Sequence, residues 1–326
     1  MDKNIVDNNM LKDFSVSEEL RRSLDMVSSE VNSRTDLNLD GDKSKSWKVA
    51  RDIVENFNPV PSLCWRLANF VFNGDTNSNI KELPEGFVLG LKKLILKAAN
   101  DDTIGIGVNI STVKEALQIL PPDVVAACVV IHSICRKLQQ KDYERIWKPM
   151  LDDAVVRARI GYMLGIYDPR FGCGRGMLAG FSGRSGLVVA ISMGTLGQAK
   201  EALDALTYSK NIASVGLRIY GCEPLQVSSM LLSASGCGRD AAFGMAGFSV
   251  YGEHSVIDTS NERVGERKWQ AAFSICEAIR KQKFDETSEG TWKLLGLNNE
   301  KDRQKMIDEA KEILRNGHQW GWLIGW

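Results

Sequence analysis

Between Arg170 and Gly186 the chain reads RFGCGRGMLAGFSGRSG, six glycines in 17 residues with Arg170, Arg175 and Arg184 among them. Two chemistries use such a stretch. Glycines let backbone N–H groups close round a phosphate, with arginines supplying charge. They also let two helices approach until their backbones meet. The stretch matches neither G-x-G-x-x-G nor G-x-x-x-x-G-K-[ST]. A helical pattern ending near Tyr167 precedes it, so the strand–turn–helix setting of those motifs is missing. Close packing of helices is therefore the first reading and a phosphate cradle the second.

Outward from this stretch the period is helical in both directions. Windows at about 62–73, 86–99, 111–119, 122–140 and 143–166 precede it, and others at about 187–207, 223–235, 238–251, 262–282 and 301–316 follow. The glycine stretch reads as an interruption between the two sets. Few runs alternate as an exposed strand would. The expected fold is all-α, a multi-helix bundle. Near the start, Ser15-x-x-Glu18 is a capping box, and Leu20, Leu24, Val27 and Val31 follow at helical spacing. Residues 33–46 are polar and turn-rich. The periodicity resumes at Trp47 and stops at Pro59 and Pro61. Residues 1–46 thus form an amphipathic helix and linker, 47–316 the helical domain and 317–326 a Trp-rich tail.

The 326 residues carry 41 basic and 41 acidic side chains, which removes the bulk electrostatic case for a nucleic-acid binder. Only three histidines are present, His132, His254 and His318, which argues against a His-rich metalloenzyme. Seven cysteines without a C-x-x-C pair read as buried thiols of a reducing compartment. Residues 1–9 are polar, and apolar stretches such as Val124 to Ile134 fall short of a membrane span. A cytoplasmic protein is expected.

Asp36-x-Asn38-x-Asp40-Gly41 opens like a calcium loop, but its twelfth position is Trp47, which cannot ligate. Cys128, His132 and Cys135 share a helical stripe of metal-ligand spacing. Their apolar neighbours favour a buried histidine and two buried thiols instead. Asp101-Asp102 and Asp152-Asp153 are adjacent pairs, which point about 100° apart on a helix and do not converge by themselves. No G-x-S-x-G is present, and no Ser or Cys has an evident His partner. In the tail, Trp320, Trp322 and Trp326 either fold back over an apolar groove or dock on a partner.

In order, these segments resemble the HDOD family, divergent relatives of HD-domain metal phosphohydrolases. The resemblance covers residues 47–316. It rests on Pro59-Val60-Pro61, on Ile95-Leu96-Lys97-Ala98-Ala99-Asn100, and on Ile110 to Leu120 read as Ile-x-Ser/Thr-Val-x-x-Ala-Leu-x-x-Leu. It continues through Ile146-Trp147 and Ala179 to Gly186, which stand where the family has Ala-Gly-Leu-Leu-His-Asp-x-Gly. Gly221 to Leu232 and Leu294-Leu295-Gly296-Leu297 complete it.

The resemblance implies a helical bundle of the HDOD and HD kind. It also shows what this chain has lost. The family's His-Asp pair falls on Gly183 and Arg184, and two further histidines fall on Pro149 and Pro224. Of a later His pair only His254 stands, beside Glu253. The implied function is a non-catalytic signalling output or scaffold that binds a protein partner or itself, with no catalytic residue, metal or cofactor. Its degenerate cleft, drawing on Arg175, Gly183, Arg184, Arg218, Glu253 and His254, is the expected place for an anion. The alternatives are a nucleotide sensor built on the Gly/Arg-rich turn and a residual metal-dependent phosphohydrolase.

Overall fold

The computed structural model describes residues 18–34, 43–74, 91–208, 211–251 and 263–325. Among them are sixteen α-helices and no strand. The first seven are α1 (Glu18–Ser33), α2 (Lys43–Phe57), α3 (Ser62–Asn73), α4 (Lys92–Ala99), α5 (Val113–Ile119), α6 (Pro122–Leu138) and α7 (Glu144–Tyr167). They are followed by α8 (Cys173–Met193), α9 (Leu196–Tyr208), α10 (Ile212–Tyr220), α11 (Pro224–Ala234) and α12 (Arg239–Tyr251). The chain ends with α13 (Val264–Arg280), α14 (Glu289–Leu294), α15 (Glu300–Asn316) and α16 (Gly321–Ile324). The calcium-loop residues Asp36, Asn38 and Asp40 lie outside the described residues.

The glycine stretch is no interruption. It is the first two-thirds of α8, and 17 of the 21 residues of that helix are buried. α7 and α8 form an antiparallel hairpin whose backbones touch. A Cβ on Gly161 would stand 2.0 Å from the Gly176 carbonyl oxygen, and one on Gly176 would meet the Gly161 oxygen at the same distance. One turn on, a Cβ on Gly180 would lie 2.0 Å from the oxygen of Arg157. Gly174 touches Asp123 of α6 in the same way, and Gly186 touches Pro224 of α11. Small residues on several faces let α7, α6 and α11 surround this one helix, and α13 closes the remaining side. The break that ends α8 comes at Gly194, so the 187–207 window is the end of α8 followed by α9.

α8 is also long and apolar enough by composition to cross a membrane, and most of its surface is covered by protein. α6 supplies a second apolar helix; Pro122 starts it, where a missing N–H costs nothing. α1 joins the same core rather than standing off it. Leu20, Leu24, Val27 and Val31 are all buried against α11 and α2. The buried Arg34 carboxylate partner, Glu266 of α13, lies 3.0 Å away and ties the exit of α1 to the bundle.

Candidate functional site

The expected cleft falls where α7, α8 and α13 pack together, and a cluster of charged side chains fills it. α7 presents Asp153 and Arg157 one turn apart, α8 presents Gly183 and Arg184, and α13 presents Glu277 and Arg280. Arg157 is the deepest, its side chain 1% exposed. Its Nε donates to Asp153 Oδ2 at 2.9 Å, and its Nη1 donates to Glu277 Oε1. Arg184 sits beside it, with Nη1 donating to the same Glu277 oxygen at 3.1 Å and to the Gly183 carbonyl at 2.8 Å. Its Nε lies 3.2 Å from Asp153 Oδ2. Arg280 closes the rim by donating through Nε to Asp153 Oδ1. Gly183 makes the room: a Cβ there would stand 3.3 Å from both Glu277 Oε1 and the Phe273 ring.

The electrostatics are uneven. Burial works to raise the Asp153 carboxyl, but Arg157, Arg184 and the Arg280 bond overcome it and hold it at about 2. Burial opposes ionisation of Glu277 too, and the same two guanidinium groups again win, so its carboxyl is lowered. Arg157 is pressed down by burial, yet Glu277 and Asp153 raise it on balance. Arg184 goes the other way. Burial lowers it, and repulsion from Arg157 and Arg280 adds to that despite both carboxylates. Arg157 is thus well compensated and Arg184 is not.

The remaining expected site residues are scattered. Arg175 lies nine residues before Arg184 on one helix, about 13 Å along its axis. Its Nη1 donates to the Phe171 carbonyl at 3.1 Å and its Nη2 to the Phe72 carbonyl at 2.9 Å. Arg218 is exposed on α10 and faces Glu201 of α9 at 3.7 Å. Arg175, Arg184 and Arg218 therefore do not line one cleft. Glu253 and His254 lie outside the described residues. The phosphate cradle also fails where it would be strongest, at the N-terminus of α8. There the Gly174 N–H donates to Asp123 Oδ2 at 2.7 Å, so the helix end already holds a carboxylate of this chain. Arg157, Glu277 and Arg280 escaped the sequence reading, and Asp153 entered it only as half of an adjacent pair that does not converge. The only available signal was the i,i+4 spacing of Asp153 and Arg157, common to many surface pairs.

The tail folds back. Trp320 is fully buried and Trp322 half-buried, so Trp320 presents no docking surface, and Trp326 lies outside the described residues. Both indoles donate to one carboxylate, Trp320 to Asp101 Oδ1 at 3.2 Å and Trp322 to Oδ2 at 3.1 Å. His132 Nδ1 donates to the Leu323 carbonyl at 2.9 Å, and Gln139 Nε2 donates to that of Ile324 at 2.8 Å. His132 thus holds the tail. Its stripe-mates Cys128 and Cys135 are buried thiols, pushed up by desolvation and so kept neutral. Among the described residues, no group of three His, Cys, Asp or Glu is placed to hold a metal ion.

The fold has solved counterparts. An HDOD domain protein of unknown function from Geobacter sulfurreducens superposes with a TM-score of 0.58 at 13% identity, over 84% of this chain and 96% of that one. A protein from Marinobacter aquaeolei provisionally assigned to signal transduction gives 0.60 at 15% identity, over 92% and 69%. A third, from Shewanella amazonensis and provisionally assigned as a phosphohydrolase, gives 0.58 at 13%, over 84% and 98%. No protein-family model and no curated protein matches the chain. The chain has an HDOD-like, all-α fold.

Proposed function

We propose that this chain is a non-catalytic signal-transduction module that acts by binding a protein partner. The observation that carries this is the state of the two carboxylates in the cleft. Asp153 and Glu277 are the acids closest to the place of the family's His-Asp pair, and both are engaged by guanidinium groups of Arg157 and Arg184. A divalent cation there would meet three fixed positive charges, those of Arg157, Arg184 and Arg280, and no imidazole among the described residues. The donor set does not fit a metal, and no hydrolytic step is derived. Support for binding comes from α9 and α10, where Leu196, Leu203, Tyr208 and Leu217 are exposed.

The test is metal analysis of protein purified without chelator, alongside phosphomonoesterase and phosphodiesterase assays with added manganese. Substoichiometric metal and no turnover are expected. One ion per chain with hydrolysis would replace this reading with the phosphohydrolase one.

A further inference from the structure

Arg184 is a guanidinium with unspent capacity. Its side chain is 14% exposed, yet it makes hydrogen bonds through Nη1 alone. Among the described residues its Nε stands 3.2 Å from Asp153 Oδ2 without forming a hydrogen bond, and its Nη2 forms none. Across the rim, Arg280 is 46% exposed and, among the described residues, bonds through Nε and through neither Nη group. Neither Nε nor Nη2 of Arg184 is among the buried side-chain atoms that lack a partner, so both reach solvent and can take an acceptor from it. The charge count agrees. Among the described residues, the three guanidinium groups of Arg157, Arg184 and Arg280 face two carboxylates, Asp153 and Glu277, with Lys281 at the edge 3.6 Å from Glu277.

We infer that the exposed rim of this cluster is a binding site for a tetrahedral oxyanion, a phosphate group held by the solvent-facing donors of Arg184 and Arg280, which sit together on Asp153. Two forked donors on different helices suit an acceptor with several oxygens, and such charge-assisted pairs are the stronger kind. The site takes Arg184 from the glycine-rich stretch but none of that stretch's backbone N–H groups: its second cation comes from α13 and its floor is the Arg157 ion pair. It is independent of the proposed signalling role, and a metal-free, inactive chain could hold or lack it.

The test uses the full-length chain at constant ionic strength, titrated with sodium phosphate, sulfate and chloride and followed by calorimetry and thermal unfolding. Phosphate and sulfate are expected to bind saturably and raise the midpoint, with chloride doing neither. Arg280→Gln, at a half-exposed position that leaves folding intact, should weaken phosphate by about fivefold to tenfold, the loss of one charge-assisted contact. Arg184→Lys, which keeps the charge and removes the fork, should also weaken it. Arg218→Gln should leave it unchanged. Phosphoserine and a nucleoside monophosphate then separate the sources: tighter binding of either identifies an organic ester, and equal or weaker binding identifies free phosphate. Equal responses to chloride and phosphate, or an Arg280→Gln affinity equal to wild type, would overturn the site.

Discussion

Two carboxylate centres hold this molecule together by opposite means. In the cleft, Asp153 and Glu277 are met by guanidinium groups, charge against charge. At the tail, the donors that bond Asp101 among the described residues are neutral, two indoles and the backbone N–H groups of Thr103 at 2.9 Å and Ile104 at 3.2 Å, with the Arg159 charge acting only through space. A buried ion pair contributes little relative to an apolar filling but is expensive to break on one side. A carboxylate hydrogen-bonded by neutral N–H groups strands less when it is lost: its hydrogen bonds go, together with its through-space attraction for Arg159. The cleft should therefore be the brittle centre and the tail the yielding one.

The largest contrast should come from Arg157→Ala, which leaves buried carboxylate charge uncompensated. A loss of about 3–5 kcal/mol is expected in denaturant unfolding. A loss below about 1 kcal/mol would mean that Arg184 and Arg280 suffice for both acids, and the contrast with the tail would collapse. Asp101→Asn should cost less, about 1–3 kcal/mol, because the amide nitrogen meets an indole N–H that needs an acceptor. Here the readout is local. Tryptophan emission should shift to the red and hydrogen exchange should quicken over 318–325, with α7 and α8 unmoved.

Acid should separate the two centres by order of release, the smallest effect of the three. Burial holds the His132 and His318 imidazoles below their usual 6.5, the latter against the pull of Asp152. Their contribution is whole above pH 6.5 and shrinks as pH falls below it. Protonation also removes the His318 Nδ1 acceptor that holds the Trp320 N–H at 2.9 Å. Asp153 sits at about 2 against an ordinary 3.8, so its contribution is whole above pH 4 and is lost as pH falls toward 2. Fluorescence and hydrogen exchange across this range should show the tail loosening first. Simultaneous release would mean the centres are coupled.

Most of the helices were legible because each needed only local information. Leu20, Leu24, Val27 and Val31 mark α1 by period, while Ser15 of its expected capping box lies outside the described residues. α8 was misread because its glycines carry low helix propensity. What makes them helical is contact with Gly161, Asp123 and Pro224, residues far along the chain. α10, α14 and α16 are short and were missed for lack of length. In the site, the resemblance located Gly183 and Arg184, but their partners Asp153, Arg157 and Glu277 are joined only by the fold. Asp152 and Asp153 illustrate the limit: the second enters the cleft while the first faces His318 at 3.7 Å.

The glycine-lined helix has a consequence for the order in which the chain is made. During synthesis α6 and α7 emerge before α8 and can clasp it at once. The face that meets α11 stays bare until Ala234 has left the ribosome, and the face that meets α13 until Arg280 has. With small residues on those faces, nothing bulky shields them in the interval. A nascent chain halted between Met193 and Pro224 therefore displays an apolar strip that other nascent chains or chaperones can seize. Translation speed over that interval should govern how much of this protein reaches its native state.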